Sequence, residues 1–185
     1  NRSVAGWTGA QLDGVGIGHT RWATHGPATE GNAPPHADCL GRITLVHNGI
    51  IENADQLRHA LTLSGHRFTS SVDSEVLCHL IEDQLDISGD LLDAVQAALT
   101  PLDGSWALAV LEKRTGRVVV AARRSPLLIA HSPHGAFATS DIAAVTDWVD
   151  TFDVVEDGEV LELTTSGQPA RTGRRSAEGV ARCVW

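Results

Sequence analysis

The spacing of apolar residues predicts strands on either side of a central block of helices. The run Ile-Thr-Leu-Val-His at 43–47 is rich in β-branched residues and predicts a strand. Farther along, apolar residues recur three and four positions apart, the period of an amphipathic helix. This pattern predicts three helices, at 53–64 with Asn53 as its cap, at 74–85 and at 90–99.

Short strands follow the helices. The predicted pairs are 106–111 with 118–122, 127–130 with 136–139, and 152–155 with 159–163, the last across Asp157-Gly158. A weaker strand is predicted at 15–18, and a short helix at 141–149. Runs of strands kept separate from a block of helices are typical of an α+β fold rather than of alternating βαβ units.

Composition narrows the class of protein. The chain has 185 residues, 42% of them apolar, enough for one domain with a substantial core. Fourteen basic against 23 acidic residues give a net charge of −9, which argues against a nucleic-acid or anionic-membrane partner. No apolar run approaches the roughly 18 residues of a membrane helix. Three irregularly spaced cysteines are typical of reduced thiols, and we expect a cytoplasmic protein.

A first group of candidate residues follows the predicted strand at 15–18. Arg21, Trp22, Thr24 and His25 lie within five positions of one another. Arginine offers a planar fork of donors that matches a carboxylate, so the group could form a pocket for a small anion. The alternative is a structural ion pair of Arg21 and a histidine that closes a loop.

The dipeptide Asn48-Gly49 directly follows the strand at 43–47 and has two interpretations. It is a common type I′ hairpin turn, but no second strand follows it at once. Alternatively, an Asn amide and a neighbouring backbone N–H can point at one place, as an oxyanion hole requires.

Asp73 opens the second predicted helix and is also ambiguous. An Asp at this position is a common N-cap that offsets the positive end of the helix dipole. It could instead hold a substrate ammonium group.

The chain shows little sign of a metal site. Of the nine histidines, only His36 has a ligand-like spacing, to Cys39, and no second pair of ligands completes a tetrahedral site. We therefore expect neither a bound metal nor a cofactor. The cysteines are expected to be inert, with Cys78 in the core.

Three blocks together resemble a known family. They are Gly-His-Thr-Arg-Trp-Ala-Thr-His-Gly at 18–26, Val-His-Asn-Gly-Ile-Ile-Glu-Asn at 46–53 and Asp-Ser-Glu at 73–75. These blocks closely resemble class II glutamine amidotransferase domains, and among them the glutaminase half of glucosamine-6-phosphate synthase (glutamine–fructose-6-phosphate aminotransferase). The resemblance implies the four-layer αββα sandwich of N-terminal nucleophile hydrolases. It runs from about residue 14 to about residue 164. We expect an amidotransferase domain at 1–164, incomplete at its N-terminus, followed by a polar tail or linker at 165–185.

The resemblance also implies residue roles. Arg21, with Thr24 and His25, would bind the α-carboxylate of L-glutamine, and Asp73 would bind its α-ammonium group. The Asn48 amide and the Gly49 backbone N–H would form the oxyanion hole. Trp22 would lie where ammonia leaves for a synthase or isomerase domain, which would aminate fructose 6-phosphate in an oligomeric parent enzyme.

Two features depart from the family pattern. The family uses an N-terminal Cys nucleophile in a first strand upstream of the Arg21 block, whereas residue 1 is Asn. We therefore expect the nucleophile, together with the first strand and helix of the fold, in a segment upstream of residue 1. Without that segment, residues 1–185 would be inactive. Pro34 stands where the family commonly has His. The alternatives are an amino-acid-binding module that has no nucleophile, or a class II amidotransferase with another acceptor.

Overall fold

Two antiparallel sheets and one layer of α-helices form most of the described part of the chain. The computed structural model describes residues 14–20, 29, 31–133, 135–164 and 170–171. The helices are α1 (Ala54–Leu63), α2 (Ser74–Ser88) and α3 (Leu91–Ala98). The strands are β1 (His36–Ala37), β2 (Ile43–Ile51), β3 (Gly104–Glu112), β4 (Val118–Arg123), β5 (Leu128–Ser132), β6 (Gly135–Thr139), β7 (Asp153–Val154), β8 (Val160–Leu163) and β9 (Ala170–Arg171).

The strands form a large and a small sheet. The six-stranded sheet has the order β1-β2-β3-β4-β8-β9, and the three-stranded sheet has the order β6-β5-β7. Every neighbouring pair is antiparallel. The three helices follow β2 in one block, so the predicted α+β class is confirmed.

The layers follow from the alternation of side chains along the central strands. On β4, Val119 and Ala121 belong to the core shared with the helices. Val118, Val120 and Ala122 point the other way and pack against the small sheet. Because both faces of the large sheet are covered, this strand reads as an unbroken apolar run. The order of layers is therefore helices, large sheet, small sheet.

A fourth layer covers the outer face of the small sheet. The predicted helix at 141–149 is a 3₁₀ helix at Ile142–Ala144 followed by turns. Val145, Val149 and Phe152 pack there against Ala130 of β5. The arrangement is the predicted four-layer sandwich, with this segment as its outermost part.

One predicted hairpin is wrong. The strands on either side of Asp157-Gly158 do not pair with each other, because β7 pairs with β5 in the small sheet and β8 with β4 in the large one. The turn carries the chain between sheets. The Gly158 N–H donates to the Ala122 carbonyl at 2.8 Å, and the Arg124 N–H donates to the Asp157 carboxylate at 2.5 Å.

Two further local expectations are corrected. Asn53 does not cap α1 with its side chain, which instead accepts from the Asp103 N–H and donates to the Pro101 carbonyl. Residues 15–18 form no strand, consistent with the low strand preference of their glycines. Within the predicted tail, residues 170–171 pair with β8.

Candidate active site

A cavity of about 350 Å³ opens beside the second half of β2. Its walls come from β2, the start of β3, the loop before α2 and the segments at 19–20 and 32–36. The lining residues are His19, Thr20, Asn32, Pro34, His36, His47, Asn48, Gly49, Ile50, Val72, Asp73, Ser74 and Ser105. Asn48, Gly49 and Asp73, selected from two distant sequence blocks, thus share one cavity.

Strand β2 continues through Asn48-Gly49 to Ile51, so the hairpin-turn interpretation of this dipeptide is wrong. The Asn48 side chain is held at both ends. Its Oδ1 lies 2.5 Å from Nε2 of His19, and its Nδ2 donates to Oγ of Ser140 at 2.9 Å. These contacts fix the plane of the amide and leave one N–H of its NH₂ group without a partner in them.

Gly49 permits a close approach between β2 and β3. Its φ is +132°, a conformation that side-chain-bearing residues rarely adopt. A Cβ at this position would lie 2.1 Å from the Ser105 carbonyl oxygen. Glycine is therefore required at Gly49 for both backbone conformation and space.

Asp73 does not act as the helix cap considered from the sequence. Its side chain makes no capping hydrogen bond to α2. Instead, Oδ2 accepts from the Ile51 backbone N–H at 2.8 Å, which ties the start of α2 to the end of β2. The carboxylate is thereby held at the wall of the cavity that β2 also forms.

His47 is a site residue that the sequence reasoning did not select. It is buried, and its Nδ1 lies 2.9 Å from Oγ of Ser74, which lies 3.4 Å from the Asp73 carboxylate. Burial lowers the pKa of His47, against an opposing effect of the Asp73 charge. The neutral imidazole is therefore the favoured form at this wall of the cavity.

His19 and Ser140 were also missed, although each contacts the Asn48 amide. His19 lies in the 18–26 block, which gave a signal. Ser140 directly follows β6, 92 positions from Asn48 in the sequence, and the fold brings the two together.

The predicted substrate-binding residues Arg21, Trp22, Thr24 and His25 lie outside the described residues. Their neighbours His19 and Thr20 line the cavity, and so does Pro34, the departure from the family pattern noted above.

The loop that leads into Asp73 is fixed by a buried carboxylate. Glu75 is 1% exposed and accepts four hydrogen bonds of 2.7–2.8 Å from the backbone and side chains of Thr69 and Ser70. Although burial favours the neutral acid, contacts with His79, Ser70 and Thr69 hold the pKa of Glu75 well below its usual range. The ionised Glu75 therefore holds the loop in one conformation.

Comparison with known proteins identifies the family. A family profile described as a glutamine amidotransferase domain matches residues 19–147. The chain belongs to this glutamine amidotransferase family. The matched region contains the whole cavity wall, from His19 to Ser105.

Relatives of this amidotransferase domain carry consistent names. The glutamine–fructose-6-phosphate aminotransferase (isomerizing) of Thermotoga maritima is 44% identical over 83% of this chain and 25% of its own length. The enzyme of the same name from Pyrococcus horikoshii is 46% identical over 78% of this chain and 24% of its own length. The chain thus spans about a quarter of the length of these curated relatives.

A solved structure supports the fold of this amidotransferase domain. The glutamine phosphoribosylpyrophosphate amidotransferase of B. subtilis superposes with a TM-score of 0.67 at 29% identity, over 83% of this chain and 34% of that one. The four-layer amidotransferase fold implied by the sequence blocks is therefore confirmed. Among the described helices, none has both the length and the apolar character needed to cross a bilayer.

Proposed function

We propose that the cavity beside β2 binds L-glutamine and that the domain hydrolyses it to glutamate and ammonia. The observation that carries this proposal is that Asn48, Gly49 and Asp73 line one cavity. That cavity offers an anionic group for an ammonium and an amide donor for a developing oxyanion. A free amino acid with a side-chain amide needs both groups.

In this proposal the substrate lies between the two ends of the cavity. Asp73 binds its α-ammonium group, and Arg21, with Thr24 and His25, binds its α-carboxylate. The free N–H of the Asn48 amide and the Gly49 backbone N–H stabilise the tetrahedral oxyanion formed at the substrate amide carbon. The cysteine thiol that the resemblance implies as nucleophile attacks that carbon.

We further propose that the ammonia passes to a synthase or isomerase domain of the same enzyme, with Trp22 near the exit, and that it aminates fructose 6-phosphate. The names of the relatives at 44% and 46% identity support this acceptor over a purine precursor, since the phosphoribosylpyrophosphate enzyme is only 29% identical. We propose that residues 1–164 form the glutaminase domain of this enzyme. We also propose that the parent enzyme is cytoplasmic and oligomeric.

The test is an assay of the full-length protein with L-glutamine, alone and with fructose 6-phosphate. We expect release of glutamate, stimulated by the sugar phosphate, and formation of an amino sugar phosphate. Glutamine binding without glutamate release would instead support an amino-acid-binding module. Glutamate release coupled only to a different acceptor would contradict the acceptor but not the glutaminase.

A further inference from the structure

A second cluster of reactive side chains lies apart from the cavity. The ligand-type atoms of Cys39, His66, His79 and Glu82 all lie within 4.8 Å of one another. Cys39 lies between β1 and β2, His66 lies after α1, and the other two residues are three positions apart on α2. None of the four lines the cavity beside β2.

Four of the six separations between these atoms match a tetrahedral metal site. With zinc–sulfur bonds of about 2.3 Å and zinc–nitrogen or zinc–oxygen bonds of about 2.0–2.1 Å, tetrahedral angles place S and N about 3.6 Å apart and N and O about 3.3 Å apart. Sγ of Cys39 lies 3.7 Å from Nδ1 of His66 and 3.5 Å from Nδ1 of His79. Oε2 of Glu82 lies 3.1 and 3.3 Å from the same two nitrogens.

Two groups beside the cluster, the Asp83 carboxylate and the Arg67 backbone N–H, are of the kind that orient metal ligands. Histidine ligands commonly direct their second ring nitrogen at a carboxylate. Nε2 of His66 lies 2.9 Å from Asp83 in such an arrangement, whereas Nε2 of His79 lies 3.8 Å from Glu75 and has no hydrogen-bond partner among the described residues. The Arg67 backbone N–H also donates to Sγ of Cys39 at 3.4 Å, a contact that would stabilise a thiolate.

We propose that Cys39, His66, His79 and Glu82 bind one zinc ion as a closed structural site. One thiolate, two imidazoles and one carboxylate form a donor set suited to zinc, and four protein ligands leave no open position for catalysis. On binding, the Cys39 thiol releases its proton to solvent. His79 and Glu82 are buried whereas Cys39 is exposed, so the ion would reach the site from the Cys39 side.

The ion would add a link between three segments that are distant in sequence and already joined by hydrogen bonds and ion pairs. It would link the β1–β2 turn and the α1–α2 loop to α2, whose first residue follows Asp73. The proposal departs from the expectation that the chain has no metal site. The ligands escaped notice because Cys39 lies 27 and 40 positions from the two histidines. The proposal is independent of glutamine hydrolysis, and its readouts do not use activity.

The experiment measures zinc binding to the full-length protein after removal of metal with a chelator. Zn²⁺ is titrated into the wild type, Cys39→Ser and His66→Asn in competition with a chromophoric chelator, and bound zinc is counted by mass spectrometry. The matched control is His59→Asn, because His59 is an exposed histidine on α1 outside the cluster. Co²⁺ is added to separate samples to reveal thiolate coordination by absorption.

We expect the wild type and His59→Asn to bind one zinc equivalent more than Cys39→Ser or His66→Asn. At a zinc concentration of about 100 times the Kd, Tm should rise by at least about 5 °C in the wild type and in His59→Asn, but not in the two ligand variants. The Co²⁺ protein should show a thiolate charge-transfer band that Cys39→Ser lacks.

Equal zinc content in all four proteins, or a wild-type Co²⁺ spectrum without that band, would overturn the proposal and leave a metal-free ion-pair cluster. If a variant fails to fold, the wild-type Co²⁺ spectrum decides alone.

Discussion

The carboxylate of Asp73 accepts a hydrogen bond from the backbone N–H of Ile51 at 2.8 Å. This bond joins the start of α2 to the end of β2, two residues beyond Gly49. The proposed ammonium-binding group and the proposed oxyanion donors are therefore held in a fixed relationship by the backbone. Asp73 has both a structural and a proposed binding role, and the two can be separated.

Replacing Asp73 by Asn or by Ala separates these roles. Asp73→Asn keeps an oxygen that can accept from Ile51 but removes the negative charge. We expect KM for glutamine to rise at least tenfold, because a charge-assisted hydrogen bond contributes about 1.5–3 kcal/mol, while Tm changes little. Asp73→Ala should also lower the free energy of unfolding by about 1–3 kcal/mol, because the Ile51 N–H loses its acceptor. Steady-state kinetics and urea unfolding measure the two effects. An unchanged KM in Asp73→Asn would exclude the ammonium-binding role.

Asn48→Ala removes the proposed side-chain donor to the oxyanion. We expect kcat for glutamine hydrolysis to fall about 10²–10³-fold with little change in KM, since the donor acts on charge that develops only in the transition state. The control is Gln96→Ala, because Gln96 carries an exposed side-chain amide on α3 and does not line the cavity. A loss confined to KM, or equal losses in both variants, would contradict the oxyanion role.

Gly49→Ala should destabilise the fold. The new Cβ would lie 2.1 Å from the Ser105 carbonyl oxygen at a φ of +132°, so β2 and β3 must separate. Gly65→Ala is the matched control, because Gly65 also has positive φ but a Cβ there would contact nothing within 4 Å. We expect a cost of about 1 kcal/mol at Gly65 and at least about 2–3 kcal/mol more at Gly49. Equal losses in urea unfolding would show that the approach to Ser105 is not what requires glycine.

Asp90 provides a test of stability against pH away from the cavity. It caps α3 by accepting from Leu92 and Asp93, and it pairs with Arg117 at 2.8 Å. The hydrogen bond from Arg117 lowers the pKa of Asp90 in the folded chain. The folded state therefore binds this proton less readily than the unfolded state. The ionised Asp90 carboxylate therefore contributes fully to the free energy of unfolding well above the ordinary Asp pKa of about 3.9. This contribution is lost as the pH falls through the lower pKa of the folded chain.

We expect Asp90→Ala to lose about 1 kcal/mol of unfolding free energy at pH 7 through loss of the cap. Asp90→Asn should keep much of the cap, and its deficit against the wild type should shrink below about pH 4, where the Asp90 carboxylate begins to bind a proton in the unfolded chain. Asp93→Asn, an exposed neighbour, is the control. A deficit of Asp90→Asn that stays constant from neutral pH into the acid range would contradict the ion-pair account.

Much of the fold could be predicted because the spacing of apolar residues in the sequence matches the side-chain burial that the layers impose. The helical spacing of Val76, Leu77 and Ile81 reflects one buried face against the large sheet. The hairpin predicted at Asp157-Gly158 is wrong because a local turn signal does not determine which strands pair with each other. At that turn, pairing with β4 and β5 prevailed over pairing between β7 and β8.

The candidate site likewise has residues that the sequence could identify and residues that it could not. Asn48-Gly49 and Asp73 were ambiguous by themselves and were selected because their sequence blocks together resemble a known family. The structure places them on one cavity. Ser140 and the Cys39 cluster could not be found from spacing, because their partners come from distant segments. Such contacts are set by packing of whole layers, which the local pattern does not encode.

The central claim is that one cavity beside β2 holds the amino acid between Asp73 and Asn48-Gly49. The most direct measurement is a crystal structure of the full-length protein with L-glutamate, the expected product. We predict that its α-amino nitrogen lies within about 3.2 Å of an Asp73 oxygen, and that a side-chain carboxylate oxygen faces the Asn48 amide and the Gly49 N–H. Glutamate bound elsewhere, or bound here with its amino group away from Asp73, would contradict the account.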